Sequence, residues 1–510
     1  MARDQYLRAH LMGINTHEEP IVFMRDDCAI CRAEGFTANT RLQVRTAGRN
    51  LIATLHTVSA EVLPGGVIGF SDGAWEFLGL TPGQEVEVRH APLVHSLSAL
   101  RKKIYGNELN ATEISGIIRD ISNRLYSDIE IAAFLTACAT GGVSRRETSA
   151  LTNAMVRSGN RLQWPEFPRI FDKHCIGGLP GNRTTPIVIS IASAAGLVIP
   201  KTSSHAITSP AGTADTMAVL TEVDLSLRQL QQVVIDTGAC LAAGGRVGLS
   251  PTDDILIRIE RALNLDSEGQ LVASVLSKKV AAGSTHVLID MPVGPTVKLR
   301  DQEQAQRLSL LFSEVAEDLG LHLRCIITDG TQPIGYGIGP VEEARDVLAV
   351  LHNRAEAPGD LVDRSVLLAS RLLAMATGDD DQGCELRARE LLESGRALRQ
   401  FERICAAQGG MKEFREARHR APLRAGRSGV LAAMDNRRLA QLAKLAGAPS
   451  SPAAGLRLHV KIGEPVTEGQ PMATLLADSP GELAYAQEYY RRNHKLFYVA
   501  EVAEVAEKGA

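Results

Sequence analysis

The sequence predicts a multidomain α/β protein with a small β-rich N-terminal domain, a helical lobe, a mainly parallel α/β lobe and a β-rich α+β C-terminal domain. A chain of 510 residues is too long for one ordinary hydrophobic core. Along it, the spacing of apolar residues changes from alternation to a helical period, then to short β-branched runs between helices, and finally back to alternation. The predicted boundaries are 1–95, 96–165, 166–425 and 426–510.

The first domain shows the alternation of half-buried strands, as in LQVR at 42–45 and EVEVR at 85–89. Turn signals separate these runs, for example PGG at 64–66. In the helical lobe, Asn110 and Glu113 form a capping-box pattern that starts a helix with one apolar face. Residues 128–157 repeat the helical period.

The third domain alternates β-branched runs with helices, which is typical of a parallel sheet. RIF at 169–171 is its first predicted strand, and VLIDM at 287–291 and CIITD at 325–329 are further strands. Thr184 or Thr185 is expected to cap a helix whose first residue is Pro186. In the last domain, Asn436 is expected to cap a short helix that ends near Gly447 before the final strands.

Charge and composition exclude several classes of partner. The formal net charge of −4 argues against a nucleic-acid-binding surface. The apolar run at 187–199 falls short of the ~20 residues that span a bilayer, and the N-terminus lacks a signal-peptide core, so we expect a cytoplasmic protein with no membrane segment. Cys28 and Cys31 lack the further ligands of a zinc site, so no metal is predicted, and free structural or incidental thiols are favoured over a redox or metal role.

Two loops carry the candidate chemistry. The glycine loop DKHCIGGLPGN at 172–182 is followed by a hydroxyl-rich loop, TSSHAITSPAGT at 202–213. Glycine permits close approach of backbone N–H groups to an anion, and hydroxyls and a lysine complete a phosphate cradle. The glycine loop lacks the Walker A pattern and the GxGxxG fingerprint, so a single small anion is the predicted ligand.

With these motifs, the sequence resembles the thymidine phosphorylase and AMP phosphorylase family over most of its length. The match includes KHCIGG at 173–178, and LVASVLSKK at 271–279 resembles the family's base-recognition helix. The additional N-terminal domain and IPKTSS at 199–204 are closer to AMP phosphorylases and their bacterial relatives, the type 2 thymidine phosphorylases.

The resemblance implies a set of phosphate-binding residues. They are Lys173, Cys175, Gly178, Thr185, Ser203 and Thr213. Cys175 stands where the family has a hydroxyl, and a thiol is a poorer hydrogen-bond donor. We therefore expect weaker phosphate binding at that position, unless the backbone N–H group is sufficient.

It also implies nucleoside-binding residues. From the thymidine phosphorylase side these are His174 near the pyrimidine, Ser274, Lys278 and Arg258, with Arg261 as the alternative. From the AMP phosphorylase side they are Gly178, Ser204, His205, Ala206, Ile207, Thr208, Ser209, Thr213, Ser274 and Lys298, and Asp266 matches the proton donor. His205 stands where both branches have arginine, which weakens the expected contact with a 5'-phosphate.

The implied reaction is reversible phosphorolysis of thymidine, which gives thymine and 2-deoxyribose 1-phosphate. Lys173 orients inorganic phosphate as the co-substrate, no cofactor is needed, and either His174 or Asp266 donates a proton or hydrogen bond to the leaving base. One alternative is an AMP phosphorylase that releases ribose 1,5-bisphosphate, and another is an inactive paralogue that acts as an assembly scaffold. The resemblance also implies a homodimer or a larger homo-oligomer.

Overall fold

The computed structural model describes residues 6–16, 19–206, 209–245, 247–263, 265, 267–493 and 495–501. The chain forms two compact units, one of residues 1–158 with 251–271 and the other of residues 159–250 with 272–510. This division differs from the predicted domains, because 251–271 was assigned to the α/β domain. Among the described helices, none has both the length and the apolar composition that crossing a membrane requires.

The first unit begins with a closed barrel in the strand order β1-β5-β2-β4-β3-β6. Its elements are β1 (Tyr6–Leu11), β2 (Ile21–Arg25), α1 (Ala29–Glu34), β3 (Arg41–Arg45), β4 (Asn50–Val58), β5 (Val67–Phe70), α2 (Asp72–Leu78) and β6 (Glu85–His90). Alternate residues such as Leu42, Val44 and Val86 fill the interior. The predicted β-rich N-terminal fold is confirmed.

A helical lobe follows the barrel within the same unit. Its helices are α3 (Leu97–Ile104), α4 (Ala111–Ser122), α5 (Asp128–Gly141) and α6 (Arg145–Arg157). The predicted capping box at the start of α4 is confirmed, since Asn110 Oδ1 accepts from Glu113 N and Asn110 N donates to Glu113 Oε2. The same local device starts α5 and α6, so these helix boundaries are encoded locally.

The second unit contains the parallel α/β layer. In chain order the elements are β7 (Phe171–Cys175), α7 (Thr184–Ala194), β8 (Ile199–Ser203), α8 (Thr213–Ala218), α9 (Leu227–Thr237), β9 (Ala239–Ala243), α10 (Pro251–Leu263), α11 (Glu268–Ala281), β10 (His286–Val293), α12 (Gln302–Asp318), β11 (His322–Asp329), β12 (Gly337–Ile338), α13 (Pro340–Leu351), α14 (Gly359–Thr377), α15 (Asp381–Glu393) and α16 (Arg396–Ala407). β7, β10 and β11 form one parallel sheet, and β8 pairs parallel with β9. Of these elements, α10 and the first residues of α11 belong to the first unit, where α10 packs on α4 and α5.

Two local predictions in this layer are wrong. The strand predicted at 169–171 begins at Phe171 and continues to Cys175, because partners from distant elements accommodate the charges of Asp172 and Lys173 inside the sheet. Helix α7 begins at Thr184 with Arg183 as its N-cap, and its first residue is not Pro186. The Thr184 hydroxyl accepts a hydrogen bond from the Lys173 ammonium and makes no cap hydrogen bond.

The C-terminal part of the second unit is β-rich, as predicted. It contains β13 (His419–Arg424), β14 (Gly429–Met434), α17 (Asn436–Leu445), β15 (Gly455–Leu458), β16 (Pro465–Val466), β17 (Pro471–Ala477), α18 (Pro480–Arg492) and β18 (Phe497–Ala500). One of its sheets has the strand order β12-β15-β17-β13. Because β12 and β13 both lie before residue 426, this sheet extends beyond the predicted domain boundary. Asp435, not Asn436, caps α17, since the Asn436 amide is buried against Thr296 and Gly330.

Candidate active site

The candidate site lies in the second unit where β7 ends and the glycine loop begins. Lys173 pairs in register with Leu288 of β10, His174 with Ile289 and Cys175 with Asp290. The Lys173 side chain is fully buried, whereas His174 and Cys175 are partly exposed. Successive side chains of a strand point to opposite faces, so Lys173 and Cys175 share one face of β7 and His174 lies on the other.

Positive φ angles shape the glycine loop, with values of 92° at Gly177, 84° at Gly178 and 70° at Gly181. A Cβ atom at Gly178 would lie 2.7 Å from the backbone nitrogen of Lys298, and one at Gly181 would lie 2.4 Å from the carbonyl oxygen of Ile334. Glycine is required at both positions because the backbone approaches so closely. The loop also brings Gly178 and Lys298, two predicted nucleoside-binding residues, into contact.

The Lys173 ammonium donates a hydrogen bond to a hydroxyl that the family resemblance does not assign to the site. Its Nζ donates to Thr184 Oγ1 at 2.8 Å and lies 3.8 Å from Asp290 Oδ2. The neighbouring Thr185, which the resemblance assigns to phosphate, is buried at the next position of α7, and its role stays a prediction. From the sequence, Thr184 is expected only as a possible helix cap, with no role at the site.

Asp290 is the centre of a buried polar group behind Cys175. Its carboxylate accepts from Thr328 Oγ1 at 2.7 Å and from Asn182 Nδ2 at 3.4 Å. The Asn182 amide also lies 3.3 Å from the Cys175 sulfur. Burial raises the pKa of the Cys175 thiol to about 12, and the nearby Asp290 charge adds to this shift. Cys175 is therefore a neutral thiol at pH 7.

A second buried cluster links three elements beneath the site. Asp172 on β7 lies 3.1 Å from Lys201 Nζ of β8 and 2.7 Å from Lys279 Nζ of α11. Lys201 also donates to the carbonyl oxygen of Lys173 at 2.7 Å. Burial lowers the pKa of Lys279 to about 7, with Lys201 lowering it further and Asp172 opposing the shift. Sequence reasoning missed these roles. A charged residue inside an otherwise apolar segment was a signal that could have indicated a buried ion pair.

Burial, together with the charges of this cluster, determines the protonation of His174. Burial lowers its pKa well below 6.5, and the charges of Lys279, Lys201 and Lys173 lower it further. His174 is thus a neutral imidazole at pH 7, able to donate one N–H hydrogen bond.

The hydroxyl-rich loop is tied to the glycine loop through Arg183. Its guanidinium donates to Thr213 Oγ1 and to the carbonyl oxygen of Ala211, both at 2.9 Å, and its Nε donates to Glu343 at 2.6 Å. Ser203 lies at the end of β8, partly exposed. Arg183 is a further residue that sequence reasoning missed, and it fixes the phosphate-assigned Thr213 beside the end of the glycine loop.

His205 is held by Asp215, an acidic residue in the first turn of α8. Its Nδ1 lies 2.6 Å from Asp215 Oδ1, while Asp215 Oδ2 accepts from the backbone N–H groups of Ala206 and Gly212. Ser204 precedes this network, and Ser209 donates to Ala211 at its other end. Three predicted residues lie outside the described part of the chain: Ile207, Thr208 and Asp266.

The predicted base-binding residues are divided between the units. Ser274 and Lys278 lie one turn apart on α11, both partly exposed, in the second unit with the two loops. Arg258 belongs to the first unit, where its guanidinium makes a two-point ion pair with Asp128 at 2.6 and 2.7 Å. Within the described residues, no group of three or more His, Cys, Asp or Glu side chains is arranged to hold a metal ion.

Comparison with known proteins gives two family matches along the chain. Residues 97–159 match the glycosyl transferase family helical bundle domain, and residues 430–496 match the pyrimidine nucleoside phosphorylase C-terminal domain. A Polaromonas protein named "Putative thymidine phosphorylase" is 52% identical over 98% of this chain and 97% of its own length. A Hahella chejuensis protein of the same name is 52% identical over 95% of this chain and 96% of its own.

Solved structures show the same fold in more distant proteins. Anthranilate phosphoribosyltransferase from Thermus thermophilus aligns with a TM-score of 0.52 at 20% identity, covering 61% of this chain and 99% of that one. The Saccharomyces cerevisiae anthranilate phosphoribosyltransferase aligns with a TM-score of 0.51 at 16% identity, covering 63% and 99%. At these identities the similarity shows the fold alone.

Proposed function

Because this chain belongs to the thymidine phosphorylase family, we propose that it catalyses the reversible phosphorolysis of thymidine. The products are thymine and 2-deoxyribose 1-phosphate, inorganic phosphate is the co-substrate, and no cofactor takes part. Family membership makes the protein a pentosyltransferase of the nucleoside phosphorylase class, which acts on a small nucleoside and phosphate.

Phosphate is proposed to bind between the glycine loop and the hydroxyl-rich loop. Backbone N–H groups near Gly178 and the hydroxyls of Ser203 and Thr213 provide donors, and Arg183 holds Thr213 in place. The Lys173 ammonium is fully buried and donates one hydrogen bond to Thr184, which leaves further N–H donors for a phosphate that reaches it. The Asp290 carboxylate lies 3.8 Å from this ammonium and partly offsets its attraction for an anion at the mouth of the loop.

The leaving base is proposed to be stabilised by hydrogen bonds and charge. Negative charge grows on the pyrimidine as its bond to C1' breaks, and groups already in position stabilise that charge without reorganisation. His174 is neutral and supplies an N–H donor, not a proton from an imidazolium. Lys278 and Ser274 on α11 provide a cation and a hydroxyl for the base.

The His205–Asp215 pair is the observation that favours a nucleoside over a nucleotide as the substrate. Asp215 lies 2.6 Å from the His205 ring and is anchored by two backbone N–H groups, so its carboxylate has a fixed position beside the hydroxyl-rich loop. A 5'-phosphate beside this loop would meet a carboxylate and a histidine in place of an arginine. A carboxylate repels a phosphate, and histidine lacks the fixed charge of arginine, so the loop disfavours a nucleoside monophosphate.

A phosphate-dependent assay with thymidine, uridine, AMP and CMP tests the proposal. We expect release of thymine from thymidine and little or no base release from AMP. A His205→Arg variant is the matched probe and should raise turnover of AMP relative to thymidine. Absence of base release from all four substrates would leave the scaffold alternative, and turnover of AMP but not thymidine would assign the AMP phosphorylase activity.

We further propose that the protein is a homodimer formed through the helical lobe. α3 and α5 pack on each other, and each leaves a large apolar side chain at its end in solvent. Tyr105 is 82% exposed and Ile129 is 79% exposed. Covering such side chains by a second copy of the chain removes apolar surface from water, which is the dominant favourable contribution to association.

A further inference from the structure

Cys28 and Cys31 lie at the start of α1 in the N-terminal barrel, where the phosphorolysis proposal gives them no role. We propose that this pair is a redox-active dithiol that exchanges with low-molecular-weight disulfides such as oxidised glutathione and closes to an intramolecular disulfide. The inference is independent of the proposed substrate. It rests on the backbone positions, the solvent exposure and the electrostatic surroundings of the two cysteines.

The backbone holds both cysteines in place. Cys28 N donates to the carbonyl oxygen of Arg25, and Cys28 O accepts from Arg32 N, both at 3.1 Å. At the other end, Cys31 O accepts from Phe36 N at 2.8 Å and from Gly35 N. Residues three apart on a helical turn have Cβ atoms about 5–6 Å apart, and disulfides bridge Cβ atoms about 3.5–4.5 Å apart. A small adjustment of this turn therefore allows the bond to form.

The two sulfurs differ in access. Cys28 is partly exposed, whereas Cys31 is 3% exposed, belongs to the barrel core, and has its sulfur 4.0 Å from Met24 Sδ. A disulfide reagent from solvent can therefore reach Cys28 but not Cys31. This arrangement gives an outer attacking thiol and an inner resolving thiol, which spacing alone cannot reveal.

The electrostatics agree with these roles. A hydrogen bond from the Cys31 thiol lowers the pKa of Cys28 to about 6 and raises that of Cys31. Burial and the charge of Asp27 oppose the Cys28 shift, and Arg25 is paired with Asp27. Cys28 is thus mostly thiolate at pH 7, the form that attacks disulfides.

The chemistry balances with the named co-reactant. The Cys28 thiolate attacks one sulfur of glutathione disulfide, the S–S bond breaks, and one glutathione leaves as thiolate while a mixed disulfide forms. Cys31 then loses its proton to solvent and attacks the Cys28 sulfur, releasing the second glutathione thiolate. The protein dithiol is oxidised by two electrons, and the glutathione disulfide is reduced to two thiols.

The experiment uses the reduced full-length protein with oxidised glutathione at pH 7, followed by peptide mass spectrometry. We expect a Cys28–Cys31 disulfide in the wild type, a glutathione adduct on Cys28 in Cys31→Ser, and no adduct at this turn in Cys28→Ser. Cys175 and Cys325 serve as internal controls, because they are also partly exposed but burial raises the pKa of their thiols to about 12 and about 11.

Alkylation kinetics give a second measurement. Iodoacetamide should modify Cys28 with a rate that is half-maximal near pH 6 and faster than that of Cys325 at pH 7. Modification of Cys28 no faster than Cys325, or a Cys31→Ser variant that accumulates no mixed disulfide, would overturn the proposal.

Discussion

At the scale of single residues, Cys175 is the position where the site departs most clearly from the expected pattern. Its sulfur lies beside the Asn182 amide, and the raised pKa keeps it a neutral thiol. A serine hydroxyl at this place would be a stronger donor to phosphate than the thiol. The departure therefore changes the donors available to the proposed phosphate without adding a charge.

We expect Cys175→Ser to lower the KM for phosphate by about two- to tenfold, the range of one net hydrogen bond of about 0.5–1.5 kcal/mol. Initial rates at varied phosphate and saturating thymidine measure the change. Cys325→Ser is the control, since that cysteine lies on β11, outside the two loops, and should leave the KM unchanged. An unchanged phosphate KM in Cys175→Ser would mean that the backbone N–H group is sufficient.

His174 should titrate well below pH 6.5, because burial and neighbouring lysines disfavour its charged form. NMR of ring-labelled protein measures the midpoint, and His174→Gln assigns the signal. The unfolded chain binds this proton near pH 6.5 and the folded chain does not, so this group's contribution to stability falls as the pH drops below about 6.5. A midpoint at or above 6.5 would contradict the proposed N–H donor role at neutral pH.

The sequence could identify residue types but not their final contacts. The motif placed Lys173, His174 and Cys175 together because they are neighbours on one strand. It could not choose between Thr184 and Thr185 for the Lys173 ammonium, because that depends on where α7 begins relative to β7. Arg183 was missed because its partners come from a second loop and from α13.

At the scale of elements, Asp172 joins β7, β8 and α11 by pairing with Lys201 and Lys279. Lys279 follows Lys278 on α11, so the pairing with Asp172 orients the helix face that carries Lys278 and Ser274. Below pH 7, where Lys279 is charged, two buried lysines share the Asp172 carboxylate, and the cluster carries net positive charge. This charge is one cause of the lowered His174 pKa.

Replacing Lys279 with methionine should raise the His174 pKa toward 6.5, since Lys279 is the first of the charges that lower it. The NMR titration of His174 shows the direction of this pKa change. The comparison is clearest below pH 7, where Lys279 of the wild type is charged. The exposed Lys412→Met is the matched control and should leave the titration unchanged. A His174 midpoint that stays constant in Lys279→Met would show that burial alone sets it.

Elements with local signals were predicted well. The Asn110–Glu113 capping box fixes the start of α4 from four consecutive residues. The extent of β7 was not predictable, because its charged residues are stabilised by Asp290, Lys201 and Lys279 from far along the chain. Local propensity cannot report on such long-range compensation.

At the scale of the whole molecule, the order of fold classes along the chain followed from hydrophobic periodicity. The path of the chain did not, because residues 251–271 return to the first unit after the α/β layer has begun. There the Arg258–Asp128 ion pair joins α10 to α5. Periodicity predicts that α10 is an amphipathic helix but does not state which surface covers its apolar face.

The proposed homodimer is tested by size-exclusion chromatography with light scattering. The wild type should have the mass of two chains, and a Tyr105→Asp/Ile129→Asp double variant should have the mass of one, because charges at the proposed contact would be buried without partners. Leu386→Asp is the matched control, since Leu386 is 68% exposed on α15 in the other unit. Circular dichroism establishes that both variants remain folded. A double variant that keeps the wild-type mass would exclude these ends of α3 and α5 from the interface, and dissociation by Leu386→Asp would place the interface on the second unit.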